Sequence, residues 1–174
     1  MIRSWGQVTL TGSAQPLFGD TLTAAFSNLA PKNGFYIVTV ASTTRYQVGD
    51  RIILGVGSGS PTNCLLVGQI KDSTHLYCTS EGDAPVSNWV NGTQIVLDIA
   101  CGSYISQLAV ANAGVVWLGS DNTVTNTGGG SAFWQITQGG AAPFGIPQWN
   151  CLRTSELWVA GTADDKLGAA AIVI

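Results

Sequence analysis

The feature that most constrains the fold of this chain is a succession of short β-prone runs, each closed by turn residues. Residues 34–41 are rich in β-branched and aromatic side chains, and the run at residues 51–54 follows a turn at Gly49. Runs of this kind separated by Gly, Asn, Asp, Ser and Pro are typical of sandwiches and barrels. The only helix candidate, residues 20–29, is equally compatible with a strand because of its threonines. The sequence predicts an all-β fold of one or two small β-barrel or β-sandwich units of jelly-roll type.

Further β-prone runs continue to the last residue. They cover residues 64–70, 75–79, 93–99, 104–110, 114–118, 132–136, 157–161 and 169–174. The turn at Lys71-Asp72-Ser73 predicts a hairpin, and residues 161–168 predict a second one that joins the last two runs. The last run is apolar, so we expect it to be paired within a sheet.

The length of 174 residues is enough for one ordinary domain or two small β domains. A small change of composition near Cys101-Gly102-Ser103 suggests a boundary there. We therefore predict an N-terminal arm over residues 1–19, a β-barrel-like domain over 20–102 and a β-sandwich-like domain over 103–174. A single jelly-roll sandwich is the alternative.

Charge is scarce in this sequence. Charged residues make up 10% of the chain, against about 25% in a usual soluble domain. With a net charge of −3 and no basic cluster, we expect no nucleic-acid partner. No apolar run is long enough for a membrane span, and the first residues do not resemble a secretory signal, so we expect neither a membrane partner nor secretion.

The inventory of reactive side chains is small. The four cysteines form no Cys-x-x-Cys pair, so we expect reduced core thiols, no metal site and no cofactor. His75 is the only histidine, and no nucleophile elbow accompanies it. The carboxylate pairs Glu81 with Asp83 and Asp164 with Asp165 fall in predicted turns, where carboxylates usually bond their own backbone. We expect no catalytic residue and no enzyme.

Six tryptophans stand out in a chain of this length. Trp117 and Trp158 lie inside apolar runs and are predicted to belong to the core. Trp5, Trp89, Trp134 and Trp149 lie in terminal, loop-like or polar contexts, where a core role and an interface role both remain open, since tryptophan is enriched at interfaces. Our candidates for partner contact are Trp5, Pro16, Leu17, Phe18, Phe133, Trp134 and Trp149.

Several motifs of the chain resemble those of a known class of proteins. The C-terminal half contains Val115-Val116-Trp117-Leu118-Gly119-Ser120-Asp121-Asn122-Thr123-Val124-Thr125, the loop Ala141-Ala142-Pro143-Phe144-Gly145 and Glu156-Leu157-Trp158-Val159-Ala160-Gly161-Thr162-Ala163. The N-terminal half contributes residues 35–41 followed by Tyr46-Gln47-Val48-Gly49-Asp50-Arg51-Ile52. These motifs resemble small β modules of tailed-bacteriophage virion proteins, most of all the capsid cement or decoration proteins.

The resemblance implies a structural virion protein, made in the host cytoplasm and placed on the capsid exterior. Its partner would be the major capsid protein, and a homo-oligomer, with a trimer favoured, would bridge neighbouring capsid subunits. Residues 1–19 would form an arm that reaches a neighbour through Trp5 and residues 15–18. The alternative is a receptor- or glycan-binding module of a tail or fibre, in which loop tryptophans stack on sugar rings.

Overall fold

The computed structural model describes residues 2–28, 34–56, 62–81, 86–108, 114–137, 141–145 and 152–173. Within these ranges the regular structure consists of β-strands and two short 3₁₀ turns, Thr43–Arg45 and Thr154–Glu156. The strands are β1 (Ile2–Thr9), β2 (Gln15–Pro16), β3 (Gly19–Thr21), β4 (Tyr36–Thr39), β5 (Arg51–Leu54), β6 (Asn63–Ile70), β7 (His75–Ser80), β8 (Gln94–Leu97), β9 (Ala100–Leu108), β10 (Val116–Gly119), β11 (Ala132–Ile136), β12 (Ala141–Gly145), β13 (Leu152–Arg153), β14 (Trp158–Ala160) and β15 (Lys166–Val173). The all-β prediction is confirmed.

The chain divides into two compact units. One unit combines residues 1–18 with residues 99–174, and we call it the split unit. The other unit is formed by residues 19–98 alone, and we call it the continuous unit. The continuous unit is therefore inserted in sequence between the two segments of the split unit.

The continuous unit contains one antiparallel sheet in the order β3-β8-β5-β6-β7-β4. Side chains alternate between the two faces of a strand, and in β5 this alternation buries Ile52 and Leu54 completely. The predicted hairpin at residues 71–73 is present as the β6–β7 connection. Aliphatic side chains from β5 to β8 thus supply most of this core.

An ionic cluster around Arg51 connects several strands of the continuous unit. Arg51 forms ion pairs with Asp98, which is 1% exposed, and with the more exposed Glu81. The third guanidinium nitrogen of Arg51 donates to the Cys64 sulfur at 3.0 Å. One arginine therefore ties together the start of β5, the start of β6 and the segments that follow β7 and β8.

The split unit contains two antiparallel sheets. The first has the order β1-β15-β9-β12, with β13 also paired to β9, and the second has the order β11-β10-β14-β2. In β1, a register shift between Ser4 and Gly6 changes the phase of the alternation, so that both Trp5 and Val8 are buried. The Trp5 and Phe18 rings meet edge to face at 6.1 Å between centroids. The N-terminal segment is therefore part of this core.

The observed division differs from the predicted one. Residues 1–18 do not extend from the body as an arm, because β1 is hydrogen-bonded to β15 over its length. The boundary after the continuous unit lies at Asp98, before the predicted position at residue 102. The described part of the helix candidate contains β3 and a bridge between Phe26 and Trp89 instead of a helix.

The predicted final hairpin is also wrong. β14 pairs with β10 and β2, whereas β15 pairs with β1 and β9 in the other sheet. The turn around Asp164 therefore passes the chain from one sheet to the other. Within the described ranges, no helix is both long and apolar enough to cross a membrane.

Candidate interaction surface

Strand β11 exposes two neighbouring aromatic side chains, Phe133 and Trp134, each to 44%. In a regular strand adjacent side chains point to opposite faces, so one of the two would be expected to lie inward. Here Leu118 lies opposite Trp134 and Gly119 lies opposite Ala132, which makes Phe133 the extra residue of a β-bulge. The bulge allows both aromatic rings to reach solvent from consecutive positions.

The position of β11 in its sheet adds to this exposure. Among the described strands it pairs with β10 alone, so it forms an edge of the second sheet of the split unit. Exposed aromatic residues are enriched in protein interfaces, and an edge strand presents backbone groups that can pair with another chain. We call Phe133 and Trp134 on this edge the aromatic edge.

The connection from β10 to β11 is held in one conformation by its own side chains. The Asp121 carboxylate accepts hydrogen bonds from the Thr123 hydroxyl at 2.6 Å and from the Thr123 amide at 2.8 Å. These bonds and one involving Ser131 lower the pKa of Asp121 below its usual value. Gly130 adopts a φ of +68°, and a Cβ at this position would lie 1.8 Å from the Thr123 carbonyl oxygen. Only glycine fits at this position. The loop that precedes β11 is therefore held in one conformation, which fixes the position of the strand.

The structure separates the predicted contact residues into two groups. Trp5, Pro16, Leu17 and Phe18 are buried in the split unit, so they belong to its core and are not presented to a partner. The prediction that these four residues contact a partner is therefore wrong. The N-terminal segment lacks a clear strand pattern in the sequence, but it pairs with the sheets of the split unit and its apolar side chains enter the core. Phe133 and Trp134 are on the surface, and Trp149 lies outside the described residues.

The other described tryptophans pack against residues of the protein itself. Trp158 is buried as predicted, and Trp117 is half-buried. The Trp89 indole nitrogen donates to the Asn63 side-chain oxygen at 2.9 Å, and a Cβ on Gly55 would lie 2.2 Å from the Trp89 ring. The open question about Trp89 is thereby answered in favour of packing within the continuous unit.

Some of the few charged side chains of the protein do not reach the surface. Arg3, Asp50, Asp98 and Asp165 are buried, which removes four of the seventeen charged side chains from the surface. Asp50 accepts from the Gln47 amide at 2.7 Å and Asp165 from the Gly114 amide at 3.1 Å, so these two carboxylates fix turns. Few charges therefore remain to oppose contact with another protein surface.

Several apolar residues are exposed in the structure although nothing in the sequence indicated that they would be. Val48 and Val90 are single apolar residues within turns of the continuous unit. Ile2 lies opposite Ile172 at the start of β1, which is itself an edge strand among those described, and both side chains are exposed. A lone apolar residue in a polar segment is common on protein surfaces, so the sequence gives no means of selecting these positions.

The candidate catalytic residues occupy structural positions. His75 Nδ1, at the start of β7, lies 2.8 Å and 3.0 Å from the two oxygens of Asp72 in the preceding turn. Hydrogen bonds from the Thr74 amide, then from the His75 side chain, hold the pKa of Asp72 well below its usual range. Glu81 pairs with Arg51, and Asp164 adopts a φ of +69° in the turn between β14 and β15. Asp83 lies outside the described residues.

The described cysteines are free thiols. Cys78 and Cys101 are buried, and burial raises the pKa of the Cys78 thiol to about 12. Cys64 is half-exposed beside Arg51, and Cys151 lies outside the described residues. In the described part of the chain, no three His, Cys, Asp or Glu side chains come together as a metal site.

Comparisons of the chain with protein-family models, with curated proteins and with solved structures find no match.

Proposed function

We propose that this chain is a structural bacteriophage virion protein, a capsid decoration protein that binds the outer shell and bridges neighbouring capsid subunits. The motif resemblance suggests this class of protein. The aromatic edge is the structural observation that supports binding to another protein surface. Phe133 and Trp134 occupy consecutive positions of a bulged edge strand whose preceding loop is fixed by hydrogen bonds. Such a preformed apolar surface suits a rigid protein partner.

The energetics fit a protein that acts in many copies. Covering the exposed parts of Phe133 and Trp134 would contribute a few kcal/mol at about 25 cal/mol per Å² of apolar area. A single contact of this size is weak, but several linked contacts in a homo-oligomer, with a trimer favoured, add through their effective concentration. A ligand that binds the assembled shell and not free subunits stabilises the shell.

The scarcity of surface charge gives this proposal a specific signature. Long-range attraction between charged surfaces accelerates association and weakens as salt is added. With few exposed charges, binding through the aromatic edge should change little between low and physiological salt. A steep salt dependence would point to a different surface.

The direct test is to ask whether the chain belongs to the virion and where. Particles of the phage that encodes it are purified, separated into heads and tails and analysed by mass spectrometry. We expect the chain in the head fraction at a stoichiometry set by capsid symmetry. Its recovery with tails would favour the receptor-binding alternative, and its absence from both fractions would refute a virion role.

The surface is tested with shells that lack the chain. Purified wild-type chain and the double variant Phe133→Ala/Trp134→Ala are mixed with expanded shells, and bound protein is measured by co-sedimentation. We expect at least about a tenfold loss of affinity, since 1.4 kcal/mol corresponds to a factor of ten. The control is Val90→Ala, which removes an exposed apolar side chain of the continuous unit and should bind as wild type. Equal binding by all three proteins would exclude the aromatic edge as the contact.

A further inference from the structure

The split unit contains an open cleft with no charged lining residue among those described. It lies between residues 12–14, which follow β1, and residues 122–126 of the β10–β11 loop, and its volume is about 320 Å³. Volumes of this size lie at the lower end of the range for small-molecule sites, which is about 300–1,000 Å³. The lining residues are Gly12, Ser13, Ala14, Asn122, Thr123, Val124, Thr125 and Asn126.

Three residues that line the cleft have polar side-chain groups that form no hydrogen bond with a described residue. The Ser13 hydroxyl and the Asn122 and Asn126 amides make no bond within the described structure. An asparagine amide offers both a donor and an acceptor, and a hydroxyl can act as either. The cleft therefore presents mixed donors and acceptors without a net charge.

The two walls are already held in place. On one side, Gln15 accepts from the Thr11 amide at 2.8 Å and donates to the Thr9 carbonyl at 3.1 Å, which clamps the turn that carries Ser13. On the other side, the Thr125 hydroxyl accepts from the Gly129 amide at 2.8 Å. Val124 is buried and anchors the loop between the two asparagines. A ligand would not have to order these segments, so even a few hydrogen bonds can give measurable affinity.

We infer, independently of the proposed function, that this cleft binds a neutral carbohydrate of one or two sugar rings. Sugar hydroxyls are both donors and acceptors, which matches the hydroxyl and amide groups of the residues that line the cleft. A peptide main chain repeats its polar groups along an extended line of about 3.3 Å per residue, which a strand edge matches better than a cleft between two turns. Charged ligands would find no counter-charge among the lining residues.

The test is a titration of the full-length, ¹⁵N-labelled chain followed by amide NMR shifts. The neutral probes are maltose, cellobiose and N,N′-diacetylchitobiose, the anionic probe is sialyllactose, and tetraglycine tests main-chain recognition. We expect saturable shifts at residues 12–14 and 122–126 with at least one neutral disaccharide, at millimolar affinity. Saturation only with sialyllactose or only with tetraglycine would overturn the assignment to neutral sugars.

Variants decide whether the cleft is the site. Asn122→Ala/Asn126→Ala should weaken the best disaccharide by about tenfold or more, which corresponds to 1.4 kcal/mol. The matched control is Asn91→Ala, because Asn91 is an exposed asparagine of the continuous unit. Both variants should retain the wild-type spectrum away from the substitution, since the asparagine amides are not bonded within the fold. Undiminished binding by the double variant, shifts confined to other residues, or no saturable shift with any neutral probe would each overturn the inference.

Discussion

The continuous unit and the split unit reach all-β structures by different chain paths. In the continuous unit every described strand finds its neighbours within residues 19–98, and the sheet brings the beginning of the unit back beside its end, with Gly19 opposite Val96. In the split unit β1 pairs with β15, so that Ile2 lies opposite Ile172. The continuous unit can be completed by local sequence, whereas the split unit requires both of its segments.

The two cores also differ in composition. The split unit combines large rings, such as Trp5 and Trp158, with alanines at 160, 169 and 171. The continuous unit buries mainly aliphatic side chains, with Phe26 and Tyr46 as its buried aromatic residues, and it adds the ionic cluster around Arg51. Large residues packed beside small ones leave large cavities when truncated, so single aromatic positions should be more important in the split unit.

The strongest test of the comparison is to separate the units. Residues 19–98 expressed alone should fold, because their sheet is complete. Residues 99–174 alone should not fold, because they lack β1 and the buried Trp5, Leu17 and Phe18. Far-UV circular dichroism and cooperative thermal unfolding distinguish the two results. A cooperative transition from residues 99–174 alone would show that the N-terminal segment is dispensable.

A single-residue test removes one ring of the split core. Trp5→Ala should lower the free energy of unfolding by about 3–5 kcal/mol, the usual cost of truncating a buried aromatic residue. In chemical denaturation the transition of the split unit should move to lower denaturant while that of the continuous unit stays in place. Trp134→Ala is the control, because it removes an indole that is 44% exposed and should change stability much less. Similar effects of both changes would contradict the assigned burial.

In the continuous unit the corresponding test removes the cation of Arg51, which pairs with the buried Asp98. Arg51→Met leaves the carboxylate of Asp98, which is 1% exposed, without this ion pair. Breaking a buried pair from one side costs about 3 kcal/mol or more. Adding Asp98→Asn to Arg51→Met should restore part of this loss, since a neutral amide is less costly to bury than a charge. A double variant no more stable than Arg51→Met would show that Asp98 does not depend on this cation.

The smallest expected effect concerns Asp20, in β3. Burial raises the pKa of its carboxyl above the usual value of 3.8, and hydrogen bonds from the Thr21 amide and the Tyr46 hydroxyl only partly oppose this. A raised pKa in the folded state means that ionised Asp20 destabilises the unit as the pH rises above 3.8. Asp20→Asn should therefore raise the thermal midpoint slightly at pH 7, and the difference should vanish below the unfolded-state pKa. A difference that persists in acid would assign the effect to packing.

The sequence predicted those strands whose residues carry a strong local pattern. Residues 51–54 and 132–136 match β5 and β11 because β-branched and aromatic side chains are concentrated between clear turns. β1 was missed because Gly6 and its bulge interrupt the alternation, and β12 because it contains Pro143. Pairing between residues far apart in sequence leaves no local trace, which is why residues 1–19 were interpreted as an arm.

The candidate interaction surface could be predicted only in part from the sequence. Residue type pointed to Phe133 and Trp134, but it pointed equally to Trp5 and Phe18, which the fold buries. What distinguishes the two pairs is the bulge in β11, and a bulge depends on the partner strand as much as on its own sequence. The cleft was not predicted, because its two walls come from segments more than a hundred residues apart.

The pairing of β1 with β15 also sets an order of events during synthesis. β1 is translated before the continuous unit, whereas β15, with which it pairs, is translated after the continuous unit. The inserted sheet can therefore form while Trp5 and Val8 still lack their final neighbours. Closing so long a loop is slow compared with pairing adjacent strands, so the nascent chain passes through a period in which the apolar side chains of β1 depend on chaperones or transient contacts for protection.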